Sequence, residues 1–402
     1  MMHQSPEDRS RGREVVVVGA VRTPIGRGHP NKGWFRQLHP TTLLGRCFST
    51  LLQRSGVDPE QVDDVVAGCV QQIGEQGCNI ARNAWLQEGL PVEVPATTVD
   101  RQCGSGQQAV NFAAAMIAAG VQDVVVAGGV EMMSRVPFAS GVRVQQEHGA
   151  ALTTQVRERY GLLENHTLVG QGMAAEGIAE RWGLERVELE ELAVRSHRLA
   201  HEATESGAFL REIVPIDVDG HGYDADQGIR PETNLETLAT LPPAFCANGL
   251  TTAATSSQVS DGAAAVLLMS REKAEELGVR ARAQIVDHAV VGVDPQIMLT
   301  GPIPATHKIL ERNRMSINDI DIVEINEAFA SVVGAWLREL KPDLDRVNPR
   351  GGAMALGHPL GAGGARLITT LLHQLQDTDR ETGLVTMCCG GGLGTATLIK
   401  RL

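Results

Sequence analysis

The order of predicted elements is repeated in the two halves of the chain, and this repeat constrains the fold most strongly. Val15–Val18 is a continuous β-branched run that predicts a strand buried on both faces, and Ala283–Val291 predicts the corresponding strand in the second half. Each half then adds a further strand and a glycine-rich bend that leads into a buried helix. The strands Val124–Ala127 and Gly383–Met387 also correspond. The sequence therefore predicts a pseudo-duplicated α/β protein.

The stretch from about 131 to 250 differs from both repeats. Charge density rises there, the segment 142–166 predicts a long polar loop, and Gln171–Arg181 predicts an amphipathic helix. We expect this stretch to be an inserted loop domain that packs over the first half. The predicted domains are thus an N-terminal half over 13–271, which carries the insertion, and a C-terminal half over 279–402.

Length, charge and cysteine content exclude several classes of protein. A chain of 402 residues exceeds the size at which one core stops growing, so two lobes are expected. The formal net charge of −12 argues against nucleic-acid partners and anionic membranes, and no run approaches the length of a membrane span. A polyanionic substrate would need a local basic pocket. Seven cysteines without a C-x-x-C pair, and a polar start without a signal peptide, indicate free thiols in a reducing cytoplasm.

Cys103 is the first candidate catalytic residue. It starts the sequence Cys-Gly-Ser-Gly over 103–106, directly before the apolar run 107–119 that predicts a helix. The N-terminus of a helix presents unpaired N–H groups and a partial positive charge, and both favour a thiolate. The alternative interpretation is a small apolar residue at a tight strand-to-helix junction. The flanking glycines and the polar residues Arg101 and Gln102 weigh against it.

Two further glycine-rich segments carry groups that can act on a thiol. Among twelve histidines, His358 lies in a glycine-dense loop, and a neutral imidazole there can accept the Cys103 proton. A nucleotide-phosphate loop is the competing interpretation, but the lysine and hydroxyl of a P-loop are missing. Cys388 and Cys389 follow the predicted strand Gly383–Met387. If the strand continues through them, they point to opposite faces and only one can enter a site; the spacing does not say which one. The glycines from Gly390 onward offer backbone donors for an oxyanion.

Asn326 and Glu327 follow the predicted buried strand Ile322–Ile325. The carboxyl end of a buried strand is the usual place of a site in an α/β protein, although an N-cap for the next helix explains these residues equally well. No cysteine or histidine pair has the spacing of zinc ligands, so no metal is expected.

These segments together resemble the thiolase family, and the likeness covers nearly the whole chain. The matching segments, in order, are Arg-Thr-Pro-Ile-Gly at 22–26, Asp-Arg-Gln-Cys-Gly-Ser-Gly at 100–106, Asn-Glu-Ala-Phe-Ala at 326–330, the glycine-rich run 351–364 and Cys-Cys-Gly-Gly-Gly at 388–392. Thiolases cleave a 3-ketoacyl-CoA with CoA, or run the reverse Claisen condensation, through an acyl-cysteine. The resemblance implies a five-layer α-β-α-β-α fold, CoA and acyl-CoA as substrates without a permanently bound cofactor, and a homodimer or homotetramer.

The resemblance also implies the catalytic roles. Cys103 is the nucleophile, His358 is the base that activates it, and Cys388 transfers protons to and from the acetyl-CoA α-carbon and the incoming thiol. Asn326 holds a water that stabilises the thioester enolate together with the imidazole. The backbone N–H groups of Cys103 and Gly390 form a second oxyanion hole.

Four residues match substrate-binding positions of the family. Ser257 matches a pantetheine contact, Arg230 matches a basic residue near the nucleotide end, and Gln171 and Phe329 belong to the same set. The sequence Gly-Gln-Gly at 170–172 stands where the short-chain acetoacetyl branch typically has histidine and methionine before the glycine. Loss of both side chains predicts a wider acyl pocket.

The wider pocket predicts a degradative 3-ketoacyl-CoA thiolase of fatty-acid or sterol side-chain β-oxidation, and acetoacetyl-CoA synthesis by an acetyl-CoA acetyltransferase is the alternative. A decarboxylating ketosynthase or a hydroxymethylglutaryl-CoA synthase needs no second cysteine in the terminal glycine loop. A non-catalytic acyl-CoA-binding or lipid-transfer protein would not require Cys103, His358 and Cys388. Two departures from the family pattern, Cys389 at an aliphatic position and Asp100 in place of the commoner asparagine, are expected to be structural.

Overall fold

The computed structural model describes residues 12–162 and 170–402. The strands are β1 (Val15–Arg22), β2 (Gly26–Arg27), β3 (Asp64–Gly68), β4 (Ala96–Val99), β5 (Val124–Met132), β6 (Ile216–Val218), β7 (His221–Tyr223), β8 (Ser260–Ser270), β9 (Ala283–Gly292), β10 (Ile322–Ile325), β11 (Thr382–Cys389) and β12 (Leu393–Arg401). The helices are α1 (Pro40–Ser55), α2 (Ile80–Gln87), α3 (Ser105–Ala118), α4 (Ser140–His148), α5 (Thr154–Tyr160), α6 (Gln171–Arg181), α7 (Arg186–Glu205), α8 (Leu235–Ala239), α9 (Arg271–Glu276), α10 (Pro302–Asn313), α11 (Ala330–Leu340), α12 (Ala353–Leu356) and α13 (Gly363–Asp377). None of these helices is long and apolar enough to cross a membrane.

The two halves build sheets with the same strand order. In the first half the strand order is β4, β3, β5, β8, β1. In the second half it is β10, β11, β12, β9, and these four strands correspond to β3, β5, β8 and β1. β3 is parallel to β5, as β10 is to β11, and the following neighbours are antiparallel in both sheets. A single bridge between Val323 and Val347 stands where β4 pairs with β3. The predicted internal duplication is confirmed.

The two sheets are continuous with each other. β1 of the first half pairs with β9 of the second at Val16–Gln284 and Val17–Ala283. Because β1 and β9 are the equivalent edge strands of the two halves, this pairing lies on the pseudo-twofold axis. The halves therefore share backbone hydrogen bonds as well as a hydrophobic core.

The layers follow from the alternation of side chains along the strands. In β1, Val16 and Val18 pack with α1 and α2, whereas Val15 and Val17 pack with α3 and α13. On the second sheet, α10 and α11 cover the face that points away from α3 and α13. This arrangement is the expected five-layer α-β-α-β-α fold, and burial on both faces explains the unbroken β-branched run of β1.

The N-terminal turns of α3 and α13 cross in direct contact. A Cβ at Gly106 would lie 2.7 Å from the carbonyl oxygen of Gly361, and a Cβ at Gly364 would lie 2.4 Å from the Cβ of Gln107. Glycine is required here because a side chain would force the two backbones apart. Since each helix follows one of the glycine-rich bends, the crossing brings both bends to the same end of the middle layer.

The region between β5 and β8 departs from the sequence prediction in two ways. It was expected to pack over the first half, but α6 contacts α11 and α7 contacts α11 and α12, so it also covers the second half. The segment 142–166 was expected to be a polar loop, but its described part contains most of α4 and all of α5. Both helices are too short to give a clear helical period in the sequence.

Candidate active site

The crossing of α3 and α13 brings the predicted catalytic residues to one end of the middle layer. Cys103 lies two residues before the start of α3 and is 1% exposed, and His358 lies before α13 and is 3% exposed. Asn326 follows β10, and Cys388 lies near the end of β11, the parallel neighbour of β10. The duplicated fold thus assembles the four residues from four separate segments.

The turn before Cys103 is strained and held by hydrogen bonds. Gln102 has a left-handed backbone with φ 50°, which is unfavourable for a residue with a side chain. The carboxylate of Asp100 accepts the Gln102 N–H at 2.6 Å, and Ser105 Oγ accepts the Arg101 N–H at 2.8 Å. Asp100 therefore acts as a structural acceptor that stabilises the strained turn before Cys103.

The Cys103 thiol is buried, and burial raises its pKa to about 11. The backbone N–H groups of Gly390 and of Cys103 itself point at the sulfur and act in the opposite direction. The same donors are placed to stabilise an oxygen that becomes negative beside the sulfur. A thiol with a raised pKa is neutral near pH 7, and it would need a base before it could act as a nucleophile.

The imidazole of His358 packs on the first turn of α13. A Cβ at Gly363 would lie 2.7 Å from Cε1 of the ring, so only glycine leaves room for it. The backbone N–H of His358 donates to Ser260 Oγ at 3.0 Å and fixes the loop. Burial, with a smaller contribution from the Arg366 guanidinium, lowers the pKa of His358 to about 3. The ring is therefore neutral near pH 7 and can accept a proton.

Asn326 faces the same imidazole. Its Nδ2 lies 3.4 Å from His358 Nε2, and its buried Oδ1 has no hydrogen-bond partner within residues 12–162 and 170–402. An unpaired buried acceptor costs roughly 1–3 kcal/mol, so the amide is well placed for a water or a substrate. The adjacent Glu327 accepts hydrogen bonds from Ser196 Oγ at 2.6 Å and from the Met354 N–H at 3.1 Å. It thereby positions α12, which leads to His358.

Cys388 and Cys389 lie on opposite sides of β11. Cys388 packs in the cluster that contains Phe329, whereas the sulfur of Cys389 is 2.5 Å from the position of a Cβ on Gly104. Both thiols are fully buried, and each interacts electrostatically with Cys103. Burial raises the pKa of Cys388 well above its ordinary value. Cys388 is therefore a protonated thiol that can donate its proton.

Glu131 is a residue of the site that the sequence analysis missed. It is fully buried in β5, and its Oε2 accepts the N–H groups of Val70 at 2.9 Å and Gly361 at 3.0 Å. Two more N–H groups donate to its Oε1. Because Gly361 belongs to the loop that carries His358, the carboxylate ties that loop to the first half. An acidic residue at the end of a buried strand was the available sequence signal.

A cavity of about 720 Å³ opens beside Gln102 and the turn Gly390–Gly391. Pockets for drug-sized ligands measure about 300–1,000 Å³. Among the described residues its walls are largely apolar and come mainly from α4, α5 and the segments beside them, and they include Val142, Leu152, Val156, Leu162, Val293 and Met298. The cavity starts at the turn that leads into Cys103 and has room for a bulky apolar group.

The predicted substrate-binding residues lie elsewhere around the site. Ser257 pairs through its backbone with the residue before Phe329, and Phe329 shares a cluster with Cys388. Gln171 is the buried first residue of α6, and its Nε2 has no partner in the part of the chain that the structure describes. Ser257 and Phe329 thus lie near the proposed catalytic residue Cys388. Arg230 is exposed on the segment between β7 and α8.

The titratable groups of the site are not grouped as metal ligands. Within residues 12–162 and 170–402, no three histidine, cysteine, aspartate or glutamate side chains are arranged to hold a metal ion.

Two family models match the chain in succession. The model of the thiolase N-terminal domain matches residues 15–272, and the model of the thiolase C-terminal domain matches residues 279–401. The chain belongs to the thiolase family. The family prediction made from the glycine-rich segments is therefore confirmed, together with the fold and the acyltransferase class of this thiolase.

Relatives and a solved structure agree with this assignment over almost the full length. This thiolase is 47% identical to the steroid 3-ketoacyl-CoA thiolase FadA6 of Mycobacterium tuberculosis, across 97% of this chain and 94% of the relative. It is 44% identical to a 3-ketoacyl-CoA thiolase of Idiomarina loihiensis, across 97% of this chain and 100% of the relative. A crystal structure of Bacillus anthracis acetyl-CoA acetyltransferase superposes with a TM-score of 0.88 at 40% identity, across 98% of this chain and 100% of the other. The relatives named 3-ketoacyl-CoA thiolase confirm the predicted type of thiolase.

Proposed function

We propose that this thiolase cleaves 3-ketoacyl-CoA with CoA and releases acetyl-CoA and a shortened acyl-CoA, through an acyl group carried on Cys103. One observation carries the proposal, namely the environment of the Cys103 sulfur. Two backbone N–H groups point at it, and a second buried thiol, Cys388, is coupled to it electrostatically. The relatives named 3-ketoacyl-CoA thiolase support the same reaction.

The first half-reaction uses each proposed catalytic group once. His358 accepts the Cys103 proton as the sulfur attacks the 3-keto carbon, and the N–H groups of Cys103 and Gly390 stabilise the oxyanion. Cleavage of the C2–C3 bond leaves its electron pair on the acetyl-CoA enolate. The imidazole and a water held by Asn326 stabilise this enolate, and Cys388 donates the proton that completes acetyl-CoA.

The second half-reaction returns the protein to its starting state. The thiolate of Cys388 accepts the proton of an incoming CoA thiol, and the CoA sulfur attacks the acyl-Cys103 carbonyl. The acyl group leaves on CoA, and Cys103 leaves as a thiolate that regains its proton from His358. Two thiols are needed because one is acylated while the other transfers protons.

We further propose that the natural acyl group is longer or bulkier than acetyl and that the direction is degradative. The apolar cavity of about 720 Å³ beside Gln102 supports this choice, as does the relative named a steroid 3-ketoacyl-CoA thiolase. The alternative is acetoacetyl-CoA formation, and the likeness to Bacillus anthracis acetyl-CoA acetyltransferase favours it.

A chain-length series separates the two candidates. We expect kcat/KM for thiolysis of eight-carbon or branched 3-ketoacyl-CoA to exceed that for acetoacetyl-CoA by about tenfold or more. Val142→Trp fills the cavity and should reduce the rate with long chains while acetoacetyl-CoA is still cleaved. Val187→Trp, at an exposed position of α7, is the matched control. A clear preference of the unmodified protein for acetoacetyl-CoA would overturn the degradative assignment.

We also propose that the protein forms a homodimer or a homotetramer and that it is located in a reducing cytoplasm. β4 is an edge strand with no strand on its open side among the described residues, and such edges are available for pairing with another copy. A reducing compartment keeps the proposed nucleophile free, and all seven cysteines are unpaired in the structure. Sedimentation equilibrium measures the number of subunits directly.

A further inference from the structure

A second cavity lies at the opposite end of α13 from His358. Its volume is about 510 Å³, and the arginines that line it are Arg54, Arg211, Arg280, Arg282 and Arg401. We call this cavity the arginine pocket. Since α13 has 15 residues, the pocket lies roughly 22 Å from the end of the helix that carries the catalytic groups, at about 1.5 Å per residue. It is therefore separate from the cavity beside Cys103.

The arginine pocket lies where the parts of the fold meet. Val18–Val21 of β1 forms one wall, and the backbone N–H of Arg282 donates to the Val17 carbonyl at 2.8 Å beside the β1–β9 pairing. Arg211 comes from the inserted region, and Arg401 comes from the end of β12. A ligand in this pocket would contact both halves and the insertion at once.

Few carboxylates balance the pocket. No aspartate or glutamate lines it within residues 12–162 and 170–402. Arg211 pairs with Asp377, but Asp377 also pairs with Arg350. Arg401 pairs with Asp379, whose side chain is 91% exposed. Only two of the five lining arginines therefore have an acidic partner in this part of the chain.

The other three arginines lack an acidic partner among the described residues. Arg54 donates to the backbone carbonyls of the segment 211–213, and Arg282 donates to the side-chain oxygen of Gln376. Arg280 has neither an ion pair nor a hydrogen bond in the described chain. No carboxylate of the described chain therefore lies within ion-pair distance of these three arginines, in a protein whose formal net charge is −12.

Neutralisation of helix ends does not account for this cluster. α1 and α13 both end at the pocket, and each C-terminus contributes about half a negative elementary charge. Together they supply about one negative charge, which is less than the positive charge on the three guanidinium groups that lack an acidic partner. The excess of positive charge affects Arg282: burial, with the nearby Arg211 and Arg280, lowers the pKa of its guanidinium to about 10.

We propose that the arginine pocket binds an anion that carries two or more phosphate groups. Guanidinium groups bind phosphate oxygens through paired N–H donors, and three arginines without an acidic partner carry more charge than one phosphate neutralises. The volume of about 510 Å³ also leaves room for more than one phosphate group. Free pyrophosphate and the diphosphate of a nucleotide share this chemistry. The bound anion links the two halves of the fold without contact to Cys103 or His358.

Calorimetric titration of the full protein with pyrophosphate, at constant ionic strength, tests the proposal. We expect saturable binding and a rise in melting temperature that saturates with it. Arg280→Gln should weaken binding by about tenfold or more. The matched control is Arg198→Gln, which removes the same charge from an exposed ion pair on α7 and should leave the affinity unchanged. Because Arg280 has no partner to lose, its variant should fold as stably as the unmodified protein when no ligand is present.

The arms of the experiment give distinct results. ADP that binds more tightly than pyrophosphate supports a nucleotide as the source of the diphosphate, and equal affinities support the diphosphate alone. The proposal is overturned if monophosphate binds as tightly as pyrophosphate, if pyrophosphate does not bind, or if Arg280→Gln and Arg198→Gln weaken binding equally. Since CoA itself contains a diphosphate, an Arg280→Gln variant with undiminished affinity would place pyrophosphate in the catalytic site instead.

Discussion

Burial shifts the pKa values of the two central residues that we propose to be catalytic, Cys103 and His358, in opposite directions. It raises the pKa of Cys103 to about 11 and lowers the pKa of His358 to about 3, because it disfavours the charged form of each group. Between these values both side chains are neutral. The structure therefore favours a thiol–imidazole pair in the free protein over a thiolate–imidazolium ion pair.

This pair predicts the pH dependence of alkylation at Cys103. Below its pKa the thiol is protonated, so the reactive thiolate fraction should rise about tenfold per pH unit between pH 7 and 10. The measurement is the rate of inactivation by iodoacetamide, with mass spectrometry to identify the modified peptide. A rate that levels off near pH 7 or 8 would show that the resting state is an ion pair.

At the scale of elements, the placement of the proposed catalytic residues depends on the contact between α3 and α13. Gly106 and Gly364 let the two helix ends approach until backbone meets backbone, and the loops that carry Cys103 and His358 start from this contact. If the helices did not cross this closely, the two loops would not bring Cys103 and His358 to the same site.

Gly106→Ala tests this dependence. Alanine in a helix interior normally stabilises by about 0.5–1 kcal/mol relative to glycine, but here its Cβ would lie 2.7 Å from a carbonyl oxygen. We expect a loss of about 1–3 kcal/mol in the free energy of unfolding and a lower kcat. Gly177→Ala is the matched control in α6, where the nearest atom to the added Cβ is 3.4 Å away. Equal stability and activity of the two variants would show that the crossing tolerates a side chain.

At the scale of the whole molecule, a buried ion-pair network connects the first strand to the insertion. Arg22 of β1 is fully buried, and it pairs with Glu212 at 2.6 Å and Asp226 at 2.7 Å. Both carboxylates belong to the region between β5 and β8. The network therefore fixes the insertion on the strand from which the duplicated core is built.

Arg22→Met would leave two carboxylates buried without their counter-charge. We expect the free energy of unfolding, measured in urea, to fall by about 3–5 kcal/mol. Arg198→Met serves as the control, because it breaks an exposed ion pair that is worth about 1 kcal/mol or less. A loss of less than 1 kcal/mol for Arg22→Met would mean that hydrophobic contacts alone hold the insertion.

The sequence predicted the repeated order of elements and the residues that we propose to be catalytic, but not the short helices α4 and α5. The β-branched run of β1 predicts two-sided burial, and the order of strands and bends predicts the duplication, because both signals are local and periodic. The segments around Cys103, Asn326, His358 and Cys388 are recognisable as candidate site segments because their signals are also local. Each combines a reactive side chain with glycines or with the end of a buried strand.

Only the tertiary structure decided how these parts meet. Tertiary contacts join residues that are distant in the chain. They form the pairing of β1 with β9, the four N–H groups that converge on Glu131, the apolar cavity beside Gln102 and the arginine pocket with its five arginines. These long-range contacts leave no periodic pattern in the sequence. They depend on how closely two helices approach and on which side chains of a bend point inward. Nothing in the sequence around Gly106 shows that glycine is necessary there. The contact that makes it necessary forms only when α13 packs against α3.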